Sequence, residues 1–292
     1  MHKIKYKHLT AAINPIGAEL SSLAASDNEF LWHGDEQFWT GRAPILFPIV
    51  GALKDGAMNY RGNRYELPRH GIARHSAFET IDCSDSGIAL QLKADEQSVK
   101  YYPWNFELQV HFTLSDIGLE IRYDVFNHDD SEMLFTIGSH PAFALEINNQ
   151  YNFRDYEISF DQPESFEIYR LNEVGLLDTK PQPLDHSGNS SAPGALRLCE
   201  EIFNDDALVF RDINSRRISL QRNGEVLLSV DTGGAPHLGI WAKPGAPFVC
   251  IEPWLGTSDF IDSSGAFEEK PDLQKLAPNQ KYSHGIAISV AR

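Results

Sequence analysis

The 292-residue chain is poor in cysteine and has no long apolar run. Its three cysteines, Cys83, Cys199 and Cys250, are scattered and form neither a CxxC pair nor a disulfide framework, which is typical of a reducing compartment. No stretch approaches the roughly 20 apolar residues of a transmembrane helix. No apolar run follows the lysines of the N-terminus, so it does not read as a signal peptide. We therefore expect a cytoplasmic protein with no membrane partner.

Basic residues are also scarce. The 25 lysines and arginines stand against 41 aspartates and glutamates, which gives a formal net charge of −16. Such a surface repels phosphate backbones and anionic lipids, so a nucleic-acid partner is disfavoured. The same charge counts mildly against a phosphorylated substrate. Hydrophobic residues make up 42% of the chain, the content of a globular protein with a sizeable core.

Helical patterning is missing as well, and period-two alternation takes its place. Residues 105–114 and 119–125 alternate apolar and polar side chains on either side of an Asp116-Ile-Gly118 turn, which predicts an antiparallel pair with one wet face. The inward residues are predicted to be Phe106, Leu108, Val110, Phe112 and Leu114, then Leu119, Ile121, Tyr123 and Val125.

Further hairpins are predicted around Asn223-Gly224, between residues 218 and 230, and at Tyr60–Tyr65, with another strand at Ile88–Leu92. Short helical turns are expected at Asp35–Trp39 and Ser98–Tyr101.

Strands connected by short turns without helical crossovers favour antiparallel sheets. The segment Thr179–Gly194 is rich in Pro, Ser, Gly and Asn, and we interpret it as a long surface loop rather than a domain linker. Alternating strands of the same kind lie on both sides of it. We therefore expect an all-β fold with few short helices and one domain over residues 1–292.

Four segments interrupt this pattern by placing an ionisable side chain among apolar or aromatic residues beside Pro or Gly. They are Trp39–Pro48, Leu67–Phe78, Thr136–Phe143 and Phe248–Trp254. His140 and Glu252 each precede a proline, which favours extended backbone and marks the end of a strand, where sites are built on β scaffolds.

Plainer interpretations compete with a catalytic one. A lone histidine beside Gly or Pro is more often a hydrogen-bonded structural residue, and His75 and His237 are assigned that role. A glutamate among apolar residues is rarer, because an unpaired buried carboxylate is costly. The cations Arg42 and Arg74 are candidates for ion pairs on the rim, and Trp254 for either core packing or a surface against a sugar ring.

Together, in their order and spacing, the four segments resemble the aldose 1-epimerase (mutarotase-like) family over nearly the whole chain. The similarity runs from Gly17-Ala-Glu-Leu20 to Leu238-Gly-Ile-Trp241 and Glu252-Pro-Trp254. It implies a single large antiparallel β-sandwich, the mutarotase-like supersandwich, with a sugar cleft on one face. It also implies an isomerase that interconverts the α and β anomers of a sugar, without a cofactor or a metal.

By their places in these motifs, His140 resembles the family's general acid, which protonates the ring oxygen, and Glu252 its general base, which takes the C1 hydroxyl proton. The resemblance also implies substrate-binding roles for five residues: His70, Arg42, Arg74, Asp206 and Trp254. For the aspartate, Asp205 is the competing alignment.

One departure leaves the substrate open. Enzymes that act on free galactose usually have two glycines after the first histidine, whereas this chain reads His70-Gly71-Ile72. With Leu46-Phe-Pro48, this resembles the hexose-6-phosphate branch and an uncharacterised branch. The expected ligand is therefore a small-molecule sugar or a sugar phosphate, and the oligomeric state is undetermined.

Rival functions are weighed on the same residues. A non-catalytic carbohydrate-binding or regulatory protein on the same fold would not need both His140 and Glu252. A metal hydrolase built on His70, His75 and His140 lacks tight ligand spacing. A nucleophilic Cys250 shares a strand face with Glu252 but has no base nearby in sequence. A glycosidase would need a second carboxylate, for which Asp206 is the candidate.

Overall fold

The computed structural model describes residues 1–145, 152–184 and 194–291. Their strands, numbered in chain order, are β1 (His2–Tyr6), β2 (Leu9–Asn14), β3 (Glu19–Ala25), β4 (Asn28–Glu29), β5 (Ile45–Leu46), β6 (Ala57–Tyr60), β7 (Asn63–Glu66), β8 (Glu79–Cys83), β9 (Gly87–Lys93), β10 (Phe106–Ser115), β11 (Gly118–Asn127), β12 (Met133–Phe135), β13 (Ile137–Ser139), β14 (Ala142–Ala144), β15 (Tyr156–Phe160), β16 (Glu167–Ile168), β17 (Gln182–Pro183), β18 (Ala195–Arg197), β19 (Leu208–Arg211), β20 (Arg217–Arg222), β21 (Glu225–Asp231), β22 (His237–Trp241), β23 (Phe248–Leu255), β24 (Gln274–Leu276) and β25 (Lys281–Val290).

The helical segments of the described chain are short 3-10 turns at Lys54–Gly56, Ala73–His75, Ser98–Lys100, Phe153–Asp155, Glu200–Phe203 and Phe267–Glu269. In that part of the chain, no helix has the length and apolar character needed to cross a membrane. The predicted all-β fold with few short helices is confirmed.

A nine-stranded antiparallel sheet forms one layer, in the order β18-β15-β20-β21-β25-β11-β10-β9-β8. The predicted pair of strands is β10 and β11, whose inward side chains are all buried. The predicted hairpin around Asn223-Gly224 is β20 and β21. Both turn residues have positive φ, at 51° and 85°, as the tight turn of a twisted hairpin requires.

The second layer is a smaller sheet in the order β19-β22-β23-β13-β5, with β14 also paired to β23. Side chains from its inner face join those of β10 and β11 in one continuous hydrophobic cluster, so the two sheets form an antiparallel β-sandwich. A buried hydrogen bond of 2.5 Å between the hydroxyls of Tyr123 and Ser139 links the layers across this core.

Two local predictions need correction. Asp35–Trp39 forms a turn instead of a helix. The Trp39 N–H donates to the Asp35 carbonyl at 2.9 Å, but the pattern does not continue. Within the predicted loop Thr179–Gly194, Gln182–Pro183 pairs with β16, and residues 185–193 lie outside the described chain. The predicted single domain over 1–292 is supported by a core cluster that draws side chains from both sides of this segment, and it stays a prediction.

Candidate active site

Strand β23 forms one wall of the candidate site. Its residues are buried on both faces of the strand. Val249 and Ile251 point into the sandwich core. The alternate residues Cys250, Glu252 and Trp254 point to the opposite side of the smaller sheet. The apolar run that precedes Glu252 in the sequence therefore places a carboxylate on the outer face of a central strand.

His140 approaches Glu252 from the junction between β13 and β14. Its backbone N–H donates to the Pro44 carbonyl at 3.1 Å, which fixes the turn before Pro141. The imidazole stacks on Trp39, with ring centroids 4.9 Å apart, and meets the edge of Trp241. Its Nε2 atom lies 3.3 Å from Oε2 of Glu252. The two groups therefore share one small volume.

This volume opens into a cleft of about 270 Å³. Ligand sites for drug-sized molecules occupy roughly 300–1,000 Å³, so the size suits a monosaccharide better than a polymer. The cleft combines aromatic side chains with charged ones, as a sugar with apolar faces and hydroxyl edges requires. Its lining comprises Trp39, Gly51, Arg69, His70, Arg74, His140, Leu171, Leu177, Asp206, Ala207, Val209, Trp241, Glu252, Trp254 and Ser258.

His70 is held as a neutral hydrogen-bond donor. Its Nδ1 accepts the Gly51 N–H at 3.2 Å, which leaves the proton on Nε2. Burial, together with His140, Arg69 and Arg74, lowers the pKa of His70 well below its usual range. Its ring centroid is 5.9 Å from that of His140. The arrangement suits donation of one hydrogen bond to a ligand oxygen.

Asp206 lies in the cleft, where both terminal nitrogens of Arg69 contact its Oδ2 atom at 3.2 and 3.3 Å. Its Oδ1 accepts the Ala207 N–H at 2.8 Å. The competing Asp205 is exposed and lies 3.9 Å from Arg170, away from the cleft lining. Because Asp206 is already engaged by a guanidinium, it is poorly suited to be the second acid of a glycosidase.

Arg74 differs from Arg69 in its lack of a partner. It lines the cleft half-buried, and no ion pair or hydrogen bond to its guanidinium occurs within residues 1–145, 152–184 and 194–291. Burial lowers the pKa of Arg74, which reflects the cost of keeping this cation partly out of water. Arg74 thus places a cation on the cleft wall, where Glu19 and Glu252 offset the effect of burial on its pKa only in part.

Arg42 is not brought into the cleft. Its Nη1 donates to the Ser21 carbonyl at 2.8 Å, and its backbone N–H donates to Glu19 at the same distance. These bonds tie the chain before β5 to β3. The structure places Arg42 behind the site, and the substrate-binding role implied for it by family resemblance has no support from the geometry.

Trp254 does line the cleft, on a platform made by two glycines. A Cβ at Gly239 would lie 2.3 Å from the Trp254 indole, and one at Gly138 would lie 2.6 Å from it. Only residues without a side chain leave room for the ring between strands β22 and β13. Its buried Nε1–H lies close to the Glu252 carboxyl and partly offsets the rise in the pKa of that group.

The protonation states of the central pair follow from burial. Burial raises the pKa of the Glu252 carboxyl well above its usual range, and Arg69 and Arg74 reverse this only in part. Burial lowers the pKa of His140 to about 3, with further lowering by Arg74 and Arg69. Burial therefore favours a carboxylic acid at Glu252 beside a neutral imidazole at His140.

This state makes stability depend on pH. Above about pH 4.5 the unfolded carboxyl of Glu252 is ionised, while the folded one keeps its proton, so the contribution of Glu252 to native stability falls as pH rises. Glu252→Gln removes that dependence. We expect the variant to gain thermal stability over the wild type as pH rises above about 4.5, at up to roughly 1 kcal/mol per pH unit. Thermal unfolding at several pH values measures it, with Glu268→Gln, at an exposed position, as the matched control.

A stability difference between wild type and Glu252→Gln that stays constant over this range would show that the carboxyl ionises normally when folded.

Several cleft residues were not predicted as site residues. Arg69, Trp39 and Trp241 lie in the quoted motifs, but only the fold shows that they face the ligand volume. The structural interpretation of His237 agrees with its contact at 3.2 Å to Asp272, and His75 is exposed outside the cleft.

The cysteine rival is disfavoured, because burial and Glu252 raise the pKa of the Cys250 thiol, the opposite of an activated nucleophile.

Comparison with known proteins agrees with this geometry. The family model for aldose 1-epimerase matches residues 2–289. The plasmid-encoded LacX protein of Lactococcus lactis subsp. lactis is 30% identical over 298 residues, covering 98% of each chain.

A solved galactose mutarotase related enzyme from Lactobacillus acidophilus is 31% identical, with a TM-score of 0.89 over 100% of this chain and 97% of that one. A galactose mutarotase-like protein from Lactobacillus casei is 25% identical, with a TM-score of 0.91 and full coverage of both chains. The predicted family and mutarotase-like β-sandwich are confirmed: the chain belongs to the aldose 1-epimerase family.

Proposed function

We propose that this protein interconverts the α and β anomers of a monosaccharide by opening and closing its ring. The observation that carries the proposal is the 3.3 Å approach of His140 Nε2 to Glu252 Oε2 in the wall of a cleft of monosaccharide size. Ring opening moves one proton from the C1 hydroxyl to the ring oxygen while the bond between C1 and that oxygen breaks. Both oxygens are bonded to C1, so the two groups that serve them must also be close neighbours.

The pair is suited to this because the same proton can reside on either group, so the reaction can begin from either of two protonation forms. In the ion-pair form, His140 protonates the ring oxygen and Glu252 takes the hydroxyl proton, as family resemblance implies. In the neutral form favoured by burial, the two roles exchange. Ring closure on the other face reverses each transfer, so both groups give and accept a proton in every cycle. Both are required whichever form begins the reaction.

Other cleft residues are proposed to hold the sugar. His70 and Trp254 each present an N–H donor, and the Arg69–Asp206 pair offers directed hydrogen bonds to hydroxyls. Trp39 keeps the His140 ring in place and excludes water from one side of it. We expect these residues to act on binding more than on proton transfer.

Saturation-transfer NMR on a panel of free and 6-phosphorylated aldoses tests the proposal, because it reports anomer exchange directly. We expect exchange well above the buffer rate for at least one sugar. Binding without exchange on every sugar would favour the non-catalytic carbohydrate-binding alternative. Release of a sugar from a glycoside would favour hydrolysis.

An anionic sugar is the second candidate substrate, and the unpartnered Arg74 favours it. A phosphate or carboxylate would supply the partner that the described chain does not, and arginine binds phosphate through two parallel hydrogen bonds. Against it stand the net charge of −16 and the carboxylate of Asp206 in the same cleft. A hexose 6-phosphate and a neutral hexose are therefore the two substrates to compare.

A further inference from the structure

Three ligand-type side chains meet at the wall of the cleft, which His140 and Glu252 line and behind which Cys250 is buried. His140, Cys250 and Glu252 each offer one atom, a nitrogen, a sulfur and an oxygen, and these lie within 4.8 Å of one another. All three residues are buried. The proposed proton transfer uses His140 and Glu252 and leaves the thiol without a role.

The convergence follows from the register of the smaller sheet. Cys250 and Glu252 are two residues apart on β23 and so share a face. Ala142 on β14 pairs with Cys250, which carries the preceding His140–Pro141 turn across that face. The imidazole, on the short link between β13 and β14, therefore lies close to both side chains.

The Glu252 carboxyl in this cluster lies beside the His140 imidazole and the Trp254 indole. Although Oε2 of Glu252 is 3.3 Å from the imidazole, it makes no hydrogen bond with any described residue. Leaving a buried polar atom without a hydrogen bond is unfavourable. The side chain of Glu252 is only 1% exposed. One of its carboxyl oxygens lies within 4.8 Å of a ring nitrogen of His140 and of the Cys250 thiol. The cluster thus has unfilled capacity to bind a cation.

We propose that His140, Cys250 and Glu252 form a binding site for a thiophilic divalent cation such as Zn²⁺. A mixed set of imidazole, thiolate and carboxylate suits zinc or cadmium and not Mg²⁺ or Ca²⁺. Binding displaces the protons of the thiol and the carboxylic acid to solvent. The two resulting negative charges cancel that of the ion, which lets the buried site remain neutral. The cleft side leaves a fourth position for water.

The residues around the three proposed ligands indicate that a metal ion would bind weakly and reversibly. Metal-binding histidines usually donate their other ring nitrogen to a carboxylate or carbonyl, which orients the ring. Here Nδ1 of His140 has no partner among the described residues. We infer affinity far below that of a structural zinc centre. The ion would occupy both groups of the proton transfer, so inhibition of anomer exchange follows, a consequence that rests on the proposed function.

Cadmium titration of the whole protein tests the binding, since Cd²⁺–thiolate bonds absorb in the ultraviolet. The sequence has three cysteines, so the Cys83→Ser/Cys199→Ser variant keeps Cys250 as its single thiol. We expect this variant to develop the absorption band with one Cd²⁺ per chain. Replacing Glu252 by Gln in the same background should weaken Cd²⁺ binding at least about tenfold, because one of three ligands is lost.

No band in the single-thiol protein would overturn the site. A band whose midpoint is unchanged by Glu252→Gln would overturn it too, because the thiol would then bind alone. Since absorption needs no turnover, the two hypotheses fail separately. Cadmium binding in a protein that exchanges no sugar would contradict only the proposed function. The protein could also bind Cd²⁺ through all three residues and yet exchange sugar anomers at an unchanged rate in the presence of Zn²⁺. That result would contradict only the predicted inhibition.

Discussion

Glu252→Gln is expected to lower kcat/KM for anomer exchange by at least about 10²-fold, and His140→Asn by a similar factor. Each change keeps the size of the side chain and removes its ability to carry a proton. General acid–base catalysis contributes about 10²–10⁴-fold per group, which sets the expected range. Saturation-transfer NMR on the sugar with the fastest wild-type exchange measures the rates.

The double variant sharpens this test. Because the two groups lie 3.3 Å apart and are proposed to act in one transfer, loss of either group disables it, and the second loss adds little. We expect Glu252→Gln/His140→Asn to be about as slow as the slower single variant. If the loss of rate in the double variant equals the product of the two single losses, His140 and Glu252 have independent roles. Sugar binding by the variants, together with melting temperatures, is the control that separates lost chemistry from lost folding.

Near-normal exchange with Gln at position 252 would demote the glutamate to a binding or structural role and contradict the proposed mechanism.

The second large effect concerns Arg74. If the substrate is anionic, Arg74→Ala should reduce kcat/KM for a hexose 6-phosphate by about 10- to 100-fold and leave the neutral hexose within about threefold. Hydrogen bonds to charged groups contribute about 1.5–3 kcal/mol, which gives that factor. Arg74→Lys should recover part of the loss, because it restores the charge but not the two parallel hydrogen bonds.

Arg42→Ala is the matched control, since this guanidinium donates to the Ser21 carbonyl and does not line the cleft. It should leave the preference between the two sugars unchanged. Equal wild-type rates on both sugars, or a phosphate preference that survives Arg74→Ala, would identify the substrate as a neutral aldose.

The strands of the fold could be predicted from the sequence more fully than the residues of the site. The hairpins at 105–125 and 218–230 are encoded locally, because side chains alternate between faces and the turn residues accept positive φ. The short helical turn expected at Asp35–Trp39 forms as an isolated turn: its hydrogen bonds are the first ones of a helix, but they do not continue. Motif similarity placed His140 and Glu252, but it could not distinguish Arg42 from Arg74 as the cleft arginine.

The sequence by itself determined an all-β chain of the aldose 1-epimerase family, through period-two alternation and the order of four short motifs. Only the tertiary structure decided which charges are free. Arg69 is bound by Asp206, Arg42 by the Ser21 carbonyl, and Arg74 by no described residue. These pairings depend on contacts between distant segments, and so do the pKa values of His140 and Glu252. Long-range packing sets both, because desolvation and partner distance have no local signature in a sequence.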